Sequence, residues 1–108
     1  MSDVNKAISN AWGQQRNGDI QQSIQAFAAI VQRDPNNIDA RYGYGLALAK
    51  NGQNAEARQN YEVALQVAED ELEELRNGER KHDLSTNRDD RLMMIIRMIS
   101  QRISEVSV

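Results

Sequence analysis

The sequence has no cysteine, a single proline and few aromatic residues, and it carries no long hydrophobic run. Without cysteine, neither a disulfide framework nor a thiolate metal site can form. The most apolar stretch, residues 92–99, is interrupted by Arg97 and falls short of the ~20 apolar residues that a membrane span needs. The first residues lack the basic segment and apolar core of a secretory signal. We therefore expect a soluble, cytoplasmic protein.

Helix-forming residues, in contrast, are abundant. With one proline and 5% aromatic residues, a sequence rich in Ala, Gln, Glu, Arg and Leu favours helix over sheet. A length of 108 residues is that of one domain with a modest core. The net charge of −3 lacks the basic footprint that is typical of nucleic-acid-binding proteins.

The chain contains an internal repeat of two similar units. A shift of 34 residues aligns glycine with glycine and large apolar residues with one another. The clearest aligned pairs are Gly18 with Gly52, Phe27 with Tyr61, and Val31 with Leu65. Each unit predicts two helices that are separated by a glycine stop, because glycine enters the left-handed conformation cheaply. The predicted core between the units consists of Phe27, Tyr44, Leu48, Tyr61 and Leu65.

The boundaries of the units follow from these stops and from the hydrophobic pattern. We expect a single domain over 1–108, with repeat one at 4–37, repeat two at 38–71 and its second helix extended to about residue 77, a loop at 78–86, and a C-terminal helix at 87–106. Asp19, with Gln22 three residues later, predicts a capping box at the start of the second helix. Asn36 or Asn37 is expected to cap the third helix.

The units resemble tetratricopeptide repeats, whose pattern is W-x2-L-G-x2-Y, then A-x3-F, then P, over 34 residues. Unit two supplies Tyr44, Gly45, Leu48, Ala57 and Tyr61, and unit one supplies Gly18, Ser23, Phe27 and Pro35. The first helix departs from the pattern at Ala7, Asn10, Ala11 and Gln14. The resemblance covers residues 4–71. It implies an all-α fold, an α-α superhelix of two helical hairpins with a C-terminal capping or dimerisation helix.

The resemblance also implies a binding surface, because proteins of this family bind partners on the concave side lined by the first helix of each unit. The residues placed there are Ile8, Trp12, Gln15, Arg16, Tyr42, Leu46 and Lys50, with Asp39 beside them. The centre of this surface is apolar and predicts a groove for a peptide or helix of a partner protein, with Trp12 and Tyr42 as anchors. The positions that clamp C-terminal carboxylates in some family members hold Ile8, Trp12 and Gly43, so an acidic tail is not expected.

The C-terminal helix is apolar on more than one side, which indicates more than one neighbour. Two units are few for a stacked repeat, so we expect this helix to cap the second unit and to build a homodimer. The residues assigned to this contact are Leu92, Met94, Ile95, Ile96, Met98, Ile99 and Ile103. In the alternative, the groove is filled by the chain's own C-terminal helix, which packs against Trp12 and Leu46.

No catalytic, cofactor or metal site is predicted. The acidic run at 69–74 fits the solvent side of a helix, and His82 lies in a polar segment without a nucleophile or metal partner. Nucleic-acid binding is the least favoured function, because acidic residues are interspersed with the basic ones of the last third. A membrane-surface helix at the C-terminus would lack an aromatic anchor. We therefore expect a non-catalytic protein with a protein partner.

Overall fold

The computed structural model describes residues 3–77 and 87–107 and, at 87 and 88, the backbone only. Within these ranges the chain forms helices and no strand, which confirms the predicted all-α class. The helices are α1 (Asp3–Arg16), α2 (Ile20–Arg33), α3 (Ile38–Lys50), α4 (Asn54–Asn77) and α5 (Asn87–Val106). The predicted loop at 78–86 lies outside the described residues.

Each helix packs mainly against its neighbours in the chain. α1 packs on α2, α2 on α3, α3 on α4 and α4 on α5, with a smaller contact between α1 and α3. This succession of neighbouring contacts is the arrangement of a helical repeat array.

The two glycine stops have the same structure. Gly18 and Gly52 have φ values of 90° and 83°, in the region that favours glycine. After α1, the Asp19 amide donates to the Gln14 carbonyl at 2.9 Å, and after α3 the Gln53 amide donates to the Leu48 carbonyl at 2.9 Å. Both turns are therefore Schellman C-caps, and each reverses the chain between the two helices of a repeat.

The predicted capping box at Asp19 is wrong, whereas the predicted cap at Asn37 is confirmed. Asp19 has φ −85° and ψ 67° and makes no side-chain cap hydrogen bond. Its amide already completes the C-cap of α1, which holds its backbone outside the extended conformation that an N-cap needs. Asn37 is extended, at φ −77° and ψ 113°, and its side-chain oxygen accepts from the Ala40 amide at 2.9 Å.

The predicted core is confirmed. Phe27, Leu48 and Tyr61 are buried, and Tyr44 and Leu65 pack against them while partly buried. Most of the buried apolar residues form two clusters, one that contains Phe27 and one that contains Tyr61.

Two glycines of α3 allow these aromatic rings to approach the helix backbone. A Cβ at Gly43 would clash with the Phe27 ring of α2, and a Cβ at Gly45 would clash with the Tyr61 ring of α4. α3 therefore lies between the two rings, and its small residues let the two hairpins nest closely.

α5 docks on the repeat pair of its own chain. Ile99 is fully buried in the same cluster as Leu48, Tyr61 and Ala64. An ion pair joins α4 to the start of α5, with 3.6 Å between Arg76 Nη2 and Asp89 Oδ1. α5 thus covers the open side of the second hairpin, where a further repeat would stack.

Candidate functional site

A row of aromatic rings connects the two hairpins, α1–α2 and α3–α4. Trp12 of α1 meets Phe27 edge-on, with 5.5 Å between ring centroids, and lies 6.3 Å from the Tyr42 ring of α3. Tyr42 lies 6.0 Å from the Tyr61 ring of α4. Phe27 and Tyr61 are buried, whereas Trp12 and Tyr42 are only half-buried. The exposed parts of the Trp12 and Tyr42 rings form the aromatic portion of the predicted concave surface.

An acidic side chain lies beside Trp12. The indole Nε1 of Trp12 donates to Asp39 Oδ1 at 3.2 Å. Asp39 is in the first turn of α3, where the helix dipole favours negative charge. This bond links α1 to α3 and fixes the orientation of both the indole and the carboxylate.

A cavity of about 280 Å³ lies between α3 and α5. The residues lining it are Ile38, Asp39, Tyr42, Ile95 and Met98. Four of these contribute apolar or aromatic surface, and Asp39 lies between the cavity and Trp12. We call this cavity, together with the exposed edge of Trp12, the α3–α5 groove.

A hydrogen bond from α5 reaches Tyr42, one of the residues that line the cavity. Arg102 Nε of α5 donates to the Tyr42 hydroxyl at 3.3 Å, and Arg102 Nη1 donates to both Glu105 carboxylate oxygens, at 2.8 and 3.0 Å. These hydrogen bonds, first that to Tyr42 and then those to Glu105, raise the pKa of Arg102 above its ordinary value. Burial, followed by the neighbouring Tyr42, raises the pKa of Tyr61 to about 12. Arg102 therefore keeps its positive charge, and Tyr61 stays neutral at physiological pH.

The residues that the sequence assigns to the concave surface differ in accessibility. Ile8 and Gln15 are buried, with 6% and 5% exposure, and Gln15 Nε2 donates to the Gly43 carbonyl at 3.4 Å. Trp12, Tyr42 and Leu46 are half-buried, and Arg16 and Lys50 are exposed at the helix ends. The rings of Trp12 and Tyr42 are neighbours, and Tyr42 and Leu46 both pack against the cluster around Tyr61.

The residues assigned to the C-terminal helix contact also divide by burial. Leu92 and Ile99 are buried within the single chain, and Ile95, Ile96 and Ile103 are half-buried. Met94 and Met98 are exposed at 57% and 42%. Trp12 belongs to the first cluster and Leu46 to the second, so of these two residues only Leu46 shares a cluster with α5.

The sequence did not assign Ile38 to the groove, and it assigned Ile95 and Met98 to a dimer contact, with packing of the C-terminal helix into the groove as the alternative. Ile38 precedes Tyr42 by four residues and so lies on the same side of α3, a spacing that could have identified it. No comparable signal was available for Ile95 and Met98, because no third repeat fixes the rotation of α5 about its axis.

Other candidate chemistry is not brought together. Among the residues that the structure describes, four of α4 line a surface depression: Asp70, Glu73, Glu74 and Asn77. Over residues 3–77 and 89–107, no three His, Cys, Asp or Glu side chains converge on a possible metal position. No helix within the described ranges is long and apolar enough to cross a membrane.

Helices that pack in succession, with repeated glycine stops and a groove on one side, define a helical-repeat protein. The family model for the tetratricopeptide repeat matches residues 9–73, more than half of the chain. The chain therefore belongs to the tetratricopeptide repeat family, whose members are generally protein–protein interaction modules. A search of curated proteins finds no match. α5, at Asn87–Val106, lies beyond the matched region.

Proposed function

We propose that this chain is a non-catalytic interaction module that binds a peptide or helix of a partner protein in the α3–α5 groove. The observation that carries the proposal is the cavity between α3 and α5, which is largely apolar and adjoins the half-buried rings of Tyr42 and Trp12. Cavities that combine apolar walls with a few oriented polar groups are typical of binding sites. Family membership supports a protein as the ligand.

The walls of the cavity suit an apolar anchor side chain. Its volume of about 280 Å³ lies at the lower end of the range for ligand pockets and is sufficient for one large side chain. Tyr42 offers a rigid aromatic face, and Met98 offers a flexible thioether that adapts to the shape of its ligand. Binding would remove the exposed part of Met98 from water.

A methionine pair on α5 provides the test. Met98 lines the cavity, whereas Met93, with nearly the same exposure (41% against 42%), contacts Arg76 instead. Peptides without tryptophan are selected from a random library on the purified full chain. Their affinity is measured by the fluorescence of Trp12, the only tryptophan. Met98→Glu is expected to weaken binding by roughly tenfold or more, because it places a charge in the apolar cavity.

The matched variant, Met93→Glu, should bind the same peptides with affinity unchanged within about twofold, a difference well under 1 kcal/mol. Equal weakening in the two variants would place the binding surface elsewhere on the helix. If no peptide with an apolar anchor is enriched, the proposal is wrong.

A second candidate function, homodimerisation, is favoured by the exposure of Met93, Met94 and Met98 on α5. A monomer rarely leaves such large apolar side chains grouped on one helix without a use. In this alternative a second copy of the chain covers Met94 and Met98, either by surface contact or by exchange of α5 between chains.

Light scattering over a range of concentrations tests this second candidate. A dimer has twice the 12.2 kDa mass of one chain, and Met94→Glu should return it to a monomer. A full-length chain that stays monomeric at the highest concentration contradicts dimerisation and leaves the groove free for a different protein.

A further inference from the structure

Asp39 is an unusual component of an otherwise apolar cavity. Of the described residues that line the cavity, Asp39 alone carries a charge, and its side chain is exposed. The indole Nε1 of Trp12 donates a hydrogen bond to one carboxylate oxygen of Asp39, Oδ1. Among the residues that the structure describes, Oδ2 accepts no hydrogen bond, and the carboxylate has no ion-pair partner.

The cations of the neighbouring helices do not neutralise this carboxylate. Arg102 donates its hydrogen bonds to Tyr42 and Glu105. Arg41, two residues after Asp39, bonds instead to the Pro35 carbonyl and to Asn60. Arg91 and Arg97 are exposed on α5 but are not among the described residues that line the cavity. The cavity therefore has a negative edge.

A partner that covers this cavity also removes water from Asp39. A carboxylate that loses water without gaining a counter-charge disfavours the complex, whereas one that gains a hydrogen-bonded cation is compensated. The free Oδ2 is already oriented, because the Trp12 bond fixes the carboxylate, so a cationic donor meets a preorganised acceptor.

We propose that Asp39 is the specificity-determining residue of the groove and selects partner segments in which an apolar anchor is accompanied by a nearby lysine or arginine. The apolar side chain occupies the cavity, and the cation reaches Oδ2 of Asp39. This inference rests on the proposed function, since it concerns the same cavity. A segment with an acidic residue in that place is rejected by repulsion, so the carboxylate contributes selectivity as well as attraction.

Library selection with the full chain and with Asp39→Lys tests the proposal directly. Peptides selected by the full chain should share an apolar anchor with a basic neighbour, and Asp39→Lys should shift the enriched neighbour from basic to acidic. Asp70→Lys makes the same change of charge on the exposed side of α4 and should leave the selected pattern unchanged.

A double-mutant cycle isolates the interaction between Asp39 and the basic residue of the peptide. Asp39→Asn removes the charge but keeps an oxygen that can accept from Trp12, so it separates charge from local structure. With a selected lysine-containing peptide, Asp39→Asn should weaken binding by roughly 1.5- to 5-fold, the range of an ion pair at an exposed site. With the same peptide carrying Lys→Gln, the substitution should have no effect.

The outcomes separate the two proposals. The role of Asp39 is overturned if the selected peptides share an apolar anchor without a basic neighbour. It is also overturned if Asp39→Asn has equal effects on both peptides. In either case, the proposed binding of an apolar anchor in the groove still holds. Failure to enrich any apolar anchor overturns both. Circular dichroism melting of each variant establishes that a lost preference does not come from a lost fold, and Asp39→Asn decides the matter if Asp39→Lys does not fold.

Discussion

Phe27→Ala is expected to lower the free energy of unfolding by about 3 to 5 kcal/mol, which is the range for removing a buried phenylalanine ring. Phe27 is fully buried, and its ring contacts Trp12 and lies over Gly43. The backbone of α3 already approaches this ring closely, so little movement can fill the space that the ring leaves. Since native domains have only about 5 to 15 kcal/mol in total, this single substitution should remove a large share of the stability.

Urea unfolding followed by circular dichroism measures this loss. Gln25→Ala, on the exposed side of the same helix, is the control and should change the stability by no more than about 0.5 kcal/mol. A loss of less than about 1 kcal/mol for Phe27→Ala would show that the first hairpin does not depend on this ring.

Ile99→Asp is expected to release α5 from the repeat pair and to destabilise the whole chain by at least about 3 kcal/mol. Ile99 has no exposed surface and packs in the cluster of Leu48, Tyr61 and Ala64, where an aspartate would lack a counter-charge. Release of α5 would uncover Tyr61 and Leu48, so the second hairpin should also lose stability.

Position-specific controls on α5 sharpen this prediction. The melting temperature should fall most for Ile99→Asp and by an intermediate amount for Ile96→Asp, at a half-buried position. It should hardly change for Ser100→Asp, at an exposed position. If Ile99→Asp melts at the same temperature as the unchanged chain, α5 does not dock through this residue.

The local features of the fold could be predicted because each is encoded within a short stretch. Gly18 and Gly52 marked the ends of α1 and α3, and both adopt positive φ. The 34-residue shift paired Phe27 with Tyr61, and each ring is buried against α3. The cap at Asp19 failed for a local reason as well, since two motifs competed for the same backbone and the C-cap of α1 prevailed.

The groove could be predicted only in part, because it depends on distant residues. Trp12 and Tyr42 occupy equivalent faces of repeated helices, so the repeat pattern placed them together. Ile95 and Met98 meet Tyr42 across more than fifty residues of sequence, and no repeat pattern specifies how α5 rotates about its axis. The burial of Gln15 likewise depends on how closely α3 approaches α1 at Gly43, whose carbonyl accepts its hydrogen bond and whose missing Cβ leaves room for the Trp12 ring.

The cavity has one wall on α3 and the other on α5, so it exists only while α5 is docked. Occupancy of the groove and docking of α5 are therefore linked equilibria, and each must favour the other by the same coupling free energy. A ligand that fills the cavity would slow amide hydrogen exchange throughout α5, including turns that it never touches. Conversely, a substitution at the buried face of α5 would weaken the partner's apparent affinity by reducing the population of chains that possess a complete groove.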